Sequence, residues 1–207
     1  MEVNNPIPRL LACLSCAVFA GTASAATTRT TFRGDSILAF WNSSDACVSR
    51  SIDVIASRDS TGGKATTYNT FIFFFEQDLC ANTLTFATSN ATSPPLTPHG
   101  AKWAAIQGSA TIDGWTSDPY GNGFTQFTHV ATVDLRFDAA ESPTHSRSSS
   151  STFSPTGTMI MHANGNYAPS IGTGSIMLED GTQLLAGPSD YADYGVTSSA
   201  SLTITHK

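Results

Sequence analysis

Asp113, Trp115, Asp118, Tyr120 and Asn122 crowd into one Gly-rich stretch, DGWTSDPYGNG, between two long strand-like segments. Flat rings stack on sugar faces, and carboxylate and amide groups bond sugar hydroxyls, so this is the chemistry of a carbohydrate-binding β-sandwich loop. The same oxygens suit Ca²⁺, which takes six to eight such ligands, yet the spacing matches no defined calcium loop. The simpler reading is a hairpin connection in which Trp115 caps the core, while Asp118-Pro119 and Gly121-Asn122-Gly123 make turns. Loops carry function more often than cores do. Trp115, Asp118, Tyr120 and Asn122 are therefore the candidate ligand-binding residues, facing a glycan or another cell-surface component.

A second stretch, Gly34-Asp35-Ser36-Ile37, resembles the nucleophile block of the GDSL-type esterases. That resemblance implies a serine activated by a histidine, with an Asp orienting the His from a late Asp-x-x-His block. The last histidine here is His206, preceded by Thr203-Ile204-Thr205, so that block is missing. The Gly- and Asn-bearing oxyanion blocks are missing too. The esterase fold is α/β, whereas the residues after Ser36 (ILAFW) read as a strand, and a motif needs its structural context. Arg33-Gly34-Asp35 also spells the integrin-read tripeptide, but it opens a strand instead of tipping a hairpin.

The remaining reactive residues are scattered. His99, His129, His145, His162 and His206 share no metal-site spacing. Only His129 falls on an apolar strand face, where a hydrogen-bonded structural histidine is expected. Of the four Glu, Glu76, Glu141 and Glu179 each fit an ordinary strand or turn position. No catalytic residue, metal or cofactor is assigned. A secreted hydrolase, with carboxylates meeting only in space, stands as the third-ranked function.

Residues 1–25 read as a secretory signal peptide: a polar start with Arg9, the apolar run Leu10–Ala20, then an Ala-x-Ala ending at Ala25. The run is too short to span a bilayer. Residues 26–207 are then one exported domain, extracellular or periplasmic. Cys13 and Cys16 belong to the discarded segment, which leaves Cys47 and Cys80 to form one disulfide in an oxidising compartment. Charged residues make up only 13% of the chain, and only three Lys stand against a net charge of −6. Charge alone therefore argues against nucleic acid and, after signal cleavage, against membrane as partners. Asn42-Ser43-Ser44 and Asn90-Ala91-Thr92 match the glycosylation acceptor pattern used in eukaryotic secretion.

Positioning these residues falls to strands. Val48–Ala56 alternates, Ser60–Lys64 turns, and Tyr68–Gln77 (YNTFIFFFEQ) is so apolar on both faces that it reads as a central strand covered on both sides. Ser93–Pro98 breaks regular structure. Ala104–Ile112 and Phe127–Phe137 alternate, 142–152 reads as a polar mobile loop, and short strands at 158–163, 174–178, 183–185 and 196–205 finish the chain. Nine or ten antiparallel strands point to an all-β sandwich, with a β-barrel as the alternative.

Asp45-x-Cys47 opens one strand and Asp78-x-Cys80 closes another around an aromatic hairpin. With the Gly172-x-Gly174-x-Ile176 strand and the Thr-rich last strand, this resembles a loose group of secreted bacterial β-sandwich proteins with no assigned activity. The resemblance implies a fold type only. The functional expectation is a secreted, non-catalytic binding module for a glycan or surface, with a structural envelope or matrix protein as the alternative.

Overall fold

The computed structural model describes residues 27–62, 66–89, 94–118, 120 and 123–206. The expected signal peptide, Asn122 and the Asn90-Ala91-Thr92 acceptor lie outside these residues. Eleven strands form: β1 (Thr27–Ser44), β2 (Val48–Thr61), β3 (Thr67–Asp78), β4 (Thr83–Ser89), β5 (Leu96–His99), β6 (Trp103–Ser117), β7 (Phe124–Ala139), β8 (Thr144–Ser154), β9 (Gly157–Leu178), β10 (Gln183–Ala186) and β11 (Tyr191–His206). Every ladder is antiparallel. The fold is all-β as expected, with somewhat more strands than nine or ten.

Period-2 alternation explains the layering. Ile37, Ala39 and Trp41 of β1, Ile52, Val54 and Ala56 of β2, and Ile72 and Phe74 of β3 point into one core. Ile106, Ala110 and Ile112 of β6, with Ala131, Val133, Leu135 and Phe137 of β7, meet them from the other side. Burying each large apolar side chain stabilises by roughly 1.5–3 kcal/mol. The strand order β10-β9-β11-β1-β2-β3-β4-β6-β5, with β7 bridging β6 and β9, joins both layers into one continuous sheet. The layers turn into one another along β4 and along the 22-residue β9. Residues 157–170 of β9 pair with β11, and residues 170–178 pair with β7. At this crossing the chain must come close to the core rings. A Cβ on Gly172 would stand 2.9 Å from Trp41 and 3.0 Å from Phe137.

Four sequence expectations need correction. Residues 144–154 form strand β8, not a loop, because eleven consecutive positions pair with β9 and Ser and Thr tolerate a pleated backbone. The stretch 93–98 does not break all regular structure: β5 includes Pro98, which an edge strand accommodates because its neighbour on one side is absent. The segments 158–163 and 174–178 are halves of the single strand β9. Most consequential, β3 is central but is covered on one side only, since Phe71, Phe73 and Phe75 stay half-exposed on the outer face.

Cys47 and Cys80 form the expected disulfide, and the Asp-x-Cys echo is a repeated turn. Asp45 Oδ1 accepts from the backbone N–H of Cys47 and Val48, both at 2.8 Å. Asp78 Oδ1 does the same for Cys80 and Ala81, again at 2.8 Å. Each carboxylate thus fixes the backbone on which its cysteine sits.

Candidate ligand-binding surface

The outer face of β3, β4 and β6 carries an aromatic row that, among the described residues, no second layer covers. Cross-strand register sets Phe75 beside Phe86 and Phe86 beside Trp115. Trp115 meets Phe86 at 6.2 Å and 35°, and meets Phe124 of β7 at 4.9 Å and 71°. Neither neighbour lies flat on the indole. Phe71 and Phe73, two residues apart on β3, hold near-parallel rings 6.2 Å apart at 13°. Exposed apolar groups gathered on one face differ from the single exposed apolar residues common on soluble proteins.

Polar groups interleave with the rings. Phe86, Thr88, Asp113, Trp115, Gln126, Phe127 and Thr128 line one shallow depression with Gly114 at its floor. A Cβ on Gly114 would point to the core side, 2.7 Å from the Ala87 Cβ and closer still to the Phe127 ring, so the packing beneath the depression needs a glycine there. The Thr128 hydroxyl donates to Asp113 Oδ1 at 2.7 Å. Further along the face, Asp53 of β2 sits in register between Phe40 and Phe73. Burial among these groups pushes its carboxyl above the usual carboxylate range.

The sequence-selected residues separate in space and in role. Trp115 belongs to β6 and is half-buried between Phe86 and Phe124, instead of capping the core from a loop. Asp118 closes the β6–β7 turn: its N–H donates to the Gly123 carbonyl at 2.8 Å and its Oδ1 accepts from Tyr120 N–H at 2.7 Å. Tyr120 is 85% exposed. Asn122 lies outside the described residues. Sequence reasoning noted Asp113 in the Gly-rich stretch without assigning it a role, and missed Phe86, Phe124, Thr88, Gln126 and Thr128. Alternation in β4 and β7 carried the signal, because it placed Phe86 and Phe124 opposite the core residues.

A second cluster lies over β5, β6 and β7. The His99 and Trp103 rings stack at 3.5 Å and 11°, and Arg136 Cζ rests 4.2 Å from the Trp103 ring centre. Arg136 also pairs with Asp138, with Nη2 donating to Oδ1 at 2.6 Å and Nε to Oδ2 at 2.7 Å. That hydrogen bond holds the Asp138 carboxyl below its ordinary range. Trp103 already has a stacking partner and a cation here, whereas the Trp115 ring is met only at an angle.

The nucleophile-like block is split by the strand. Ser36 is exposed on the outer face of β1, while Asp35 turns inward. Asp35 lies 3.6 Å from Arg58 Nη1 and 3.4 Å from the Tyr194 hydroxyl, which donates to the Gly100 carbonyl at 2.7 Å. Burial raises the Asp35 carboxyl above its ordinary range, against the Arg58 charge that lowers it. Arg33-Gly34-Asp35 runs mid-strand between β2 and β11. His129 faces inward as expected, but its buried Nδ1 makes no hydrogen bond and stands 3.5 Å from Glu179 Oε1. No group of three or more potential metal ligands occurs among the described residues. Comparison with protein-family models, with curated proteins and with solved structures gives no match to this chain.

Proposed function

We propose that this protein is an exported, non-catalytic binding module that holds a glycan on the outer face of β3, β4 and β6. The observation that carries the reading is the row Phe75, Phe86 and Trp115, three rings in adjacent register on an uncovered sheet face. Sugar rings present C–H faces to such rings and hydroxyls to their rims. Asp113, Thr88, Gln126 and Thr128 supply donors and acceptors at that rim. The Cys47–Cys80 disulfide favours an oxidising compartment, extracellular or periplasmic, for the same reading.

The test is a glycan array probed with the disulfide-bonded protein of residues 26–207, beside Trp115→Ala and Phe86→Ala variants whose thermal unfolding is recorded. The reading expects a set of bound glycans whose signal falls at least tenfold in both variants while the variants stay folded. An intact protein that binds none of the arrayed glycans, or folded variants that bind as well as the parent, would sink it.

A further inference from the structure

Beyond the two-layered body, four strand segments run on as a single open sheet. They are residues 144–154 of β8, 157–167 of β9, 197–206 of β11 and 27–33 of β1, in that order across the extension. Below, this extension is the wing. The face that continues the core side of β1 is polar here. Register gathers on it Arg29 and Arg33 of β1, His162 and Asn164 of β9, and His145 and Arg147 of β8. All of these except the half-buried Asn164 are exposed. Arg147 Nε donates to Asn164 Oδ1 at 2.9 Å, and His145 Nδ1 lies 3.3 Å from Asn166 Oδ1. An amide thus orients the Arg147 guanidinium without neutralising it.

The arginines divide by position. In the body, Arg50 pairs with Glu76, Arg58 with Asp35 and Arg136 with Asp138. Among the described residues, no carboxylate stands within ion-pair distance of Arg29, Arg33 or Arg147. Residues 27–34, 144–170 and 195–206 contain no Asp or Glu, whereas 35–143 and 171–194 hold fifteen of the sixteen acidic residues. Asp35, next along the same face of β1, is already engaged by Arg58 and the Tyr194 hydroxyl. Three exposed cations without counterions make a local positive surface on a chain whose net charge is −6.

Strand geometry sets the shape of the ligand. Arg147 and Arg33 lie three strand spacings apart, about 14 Å, and Arg29 and Arg33 lie four residues apart along β1, about 13 Å. Such separations suit a chain with anionic groups at intervals, not one small anion. Between the arginines the same face presents the hydroxyls of Thr31, Thr203 and Ser149, which can donate to and accept from sugar hydroxyls. Phe153 is the one large ring on this face, 75% exposed. One ring is too few for the successive stacking that holds single-stranded nucleic acid. Four strands, about 14 Å across before side chains, are also too wide for a duplex major groove of about 12 Å. The apolar Met159, Met161, Leu202 and Ile204 lie on the opposite face, so a bilayer cannot meet them and the arginines together.

We propose that this face of the wing binds an anionic polysaccharide. Arg29, Arg33 and Arg147 hold its sulfate or carboxylate groups, and the Thr and Ser between them bond its hydroxyls. The guanidinium fork matches either anion with two parallel hydrogen bonds. The surface shares no residue with the aromatic row on β3, β4 and β6 and does not depend on it. The depression on that row carries Asp113 and no Lys or Arg, so it disfavours the same polymer.

The experiment is elution of the disulfide-bonded protein (residues 26–207) from immobilised heparin, which carries both sulfate and carboxylate, beside a sulfonate cation exchanger. The protein should be retained on heparin at about 0.05 M salt, where screening is weak. It should also leave heparin at higher salt than it leaves the exchanger. Arg29→Gln/Arg33→Gln/Arg147→Gln changes three exposed side chains and should abolish retention, with far-UV circular dichroism confirming the fold. Lys at the same three positions should keep part of it. In calorimetric titrations with heparin, each single Arg→Gln should flatten the dependence of log K on log salt by roughly one unit, as loss of one phosphate contact does in nucleic-acid binding. No retention of the intact protein, retention that survives the triple Gln variant, or elution from both matrices at the same salt overturns the proposal. So does tighter binding to duplex DNA or to phosphatidylglycerol vesicles than to heparin at equal salt. Trp115→Ala and Phe86→Ala should leave heparin elution unchanged, which keeps this outcome separate from that of the aromatic row. A loss of retention in those two folded variants would place heparin on the row and overturn the assignment to the wing.

Discussion

Trp41 of β1 and Phe137 of β7 meet edge to face across the core, ring centres 6.2 Å apart at 66°. This contact ties the two layers at the level where β9 crosses from one to the other, and Gly172 is the residue beneath both rings. Phe137 is wholly buried. Phe137→Ala should therefore cost about 3–5 kcal/mol, the range for truncating a buried aromatic. Gly172→Ala should cost about 1–3 kcal/mol by overpacking against the same rings. The two should couple: in the Phe137→Ala background the added methyl finds space, so its own cost shrinks. Urea unfolding of the four proteins of this cycle, at unchanged m value, checks the sum.

Phe73 and Phe74 are neighbours in sequence that face opposite ways, outward and into the core. Phe74→Ala should cost about 3–5 kcal/mol. Phe73→Ala should cost less than half of that, because much of its ring already meets water. Equal losses in urea unfolding would mean that the outer aromatic row is structural, and would weaken the case for a ligand surface there.

The contrast between these two residues also marks how far the sequence could be read. Alternation made Ile52, Val54 and Ala56 and the series from Ala131 to Phe137 legible as core, because a strand shows one face to apolar neighbours. It could not say whether Phe71, Phe73 and Phe75 were covered, since covering depends on how many layers stack on that face. For the same reason Trp115 was legible as a residue of interest, but its partners Phe86 and Phe124 were not, as which rings meet depends on the cross-strand register of β4, β6 and β7. The strand at 144–154 was illegible for a different reason: its Ser-rich pattern has no apolar period, and only the backbone ladder to β9 defines it.

The disulfide links the β1–β2 turn to the β3–β4 turn across a sequence separation of 33. On the chain-entropy account, closing such a loop stabilises by about 3–4 kcal/mol. Cys47→Ser/Cys80→Ser should lose about that much in equilibrium urea unfolding. Leu79 N–H donates to the Cys47 carbonyl at 2.7 Å, so the two turns keep a backbone tie in the double variant. Cooperative unfolding should therefore survive the loss.

Asp53 and Asp45 should give opposite pH signatures. Burial among outer-face aromatics raises the Asp53 carboxyl, so the folded state binds its proton more tightly than the unfolded chain does. The stability linked to Asp53 is present below the ordinary carboxylate range and is lost as pH rises through the raised value. Asp45 is lowered, first by the Val48 N–H and then by that of Cys47, so its contribution is present above the ordinary range and fades as pH falls through the lowered value. Asp53→Asn should be more stable than the parent at pH 7, with the gain shrinking toward pH 3. Asp45→Asn should be less stable at pH 7, with the deficit shrinking toward pH 3. Urea unfolding of the parent and both variants in steps from pH 7 to pH 3 separates the two. If Asp53→Asn loses stability at pH 7, then the charged carboxylate is being held by a partner on that face, and burial is not what governs it.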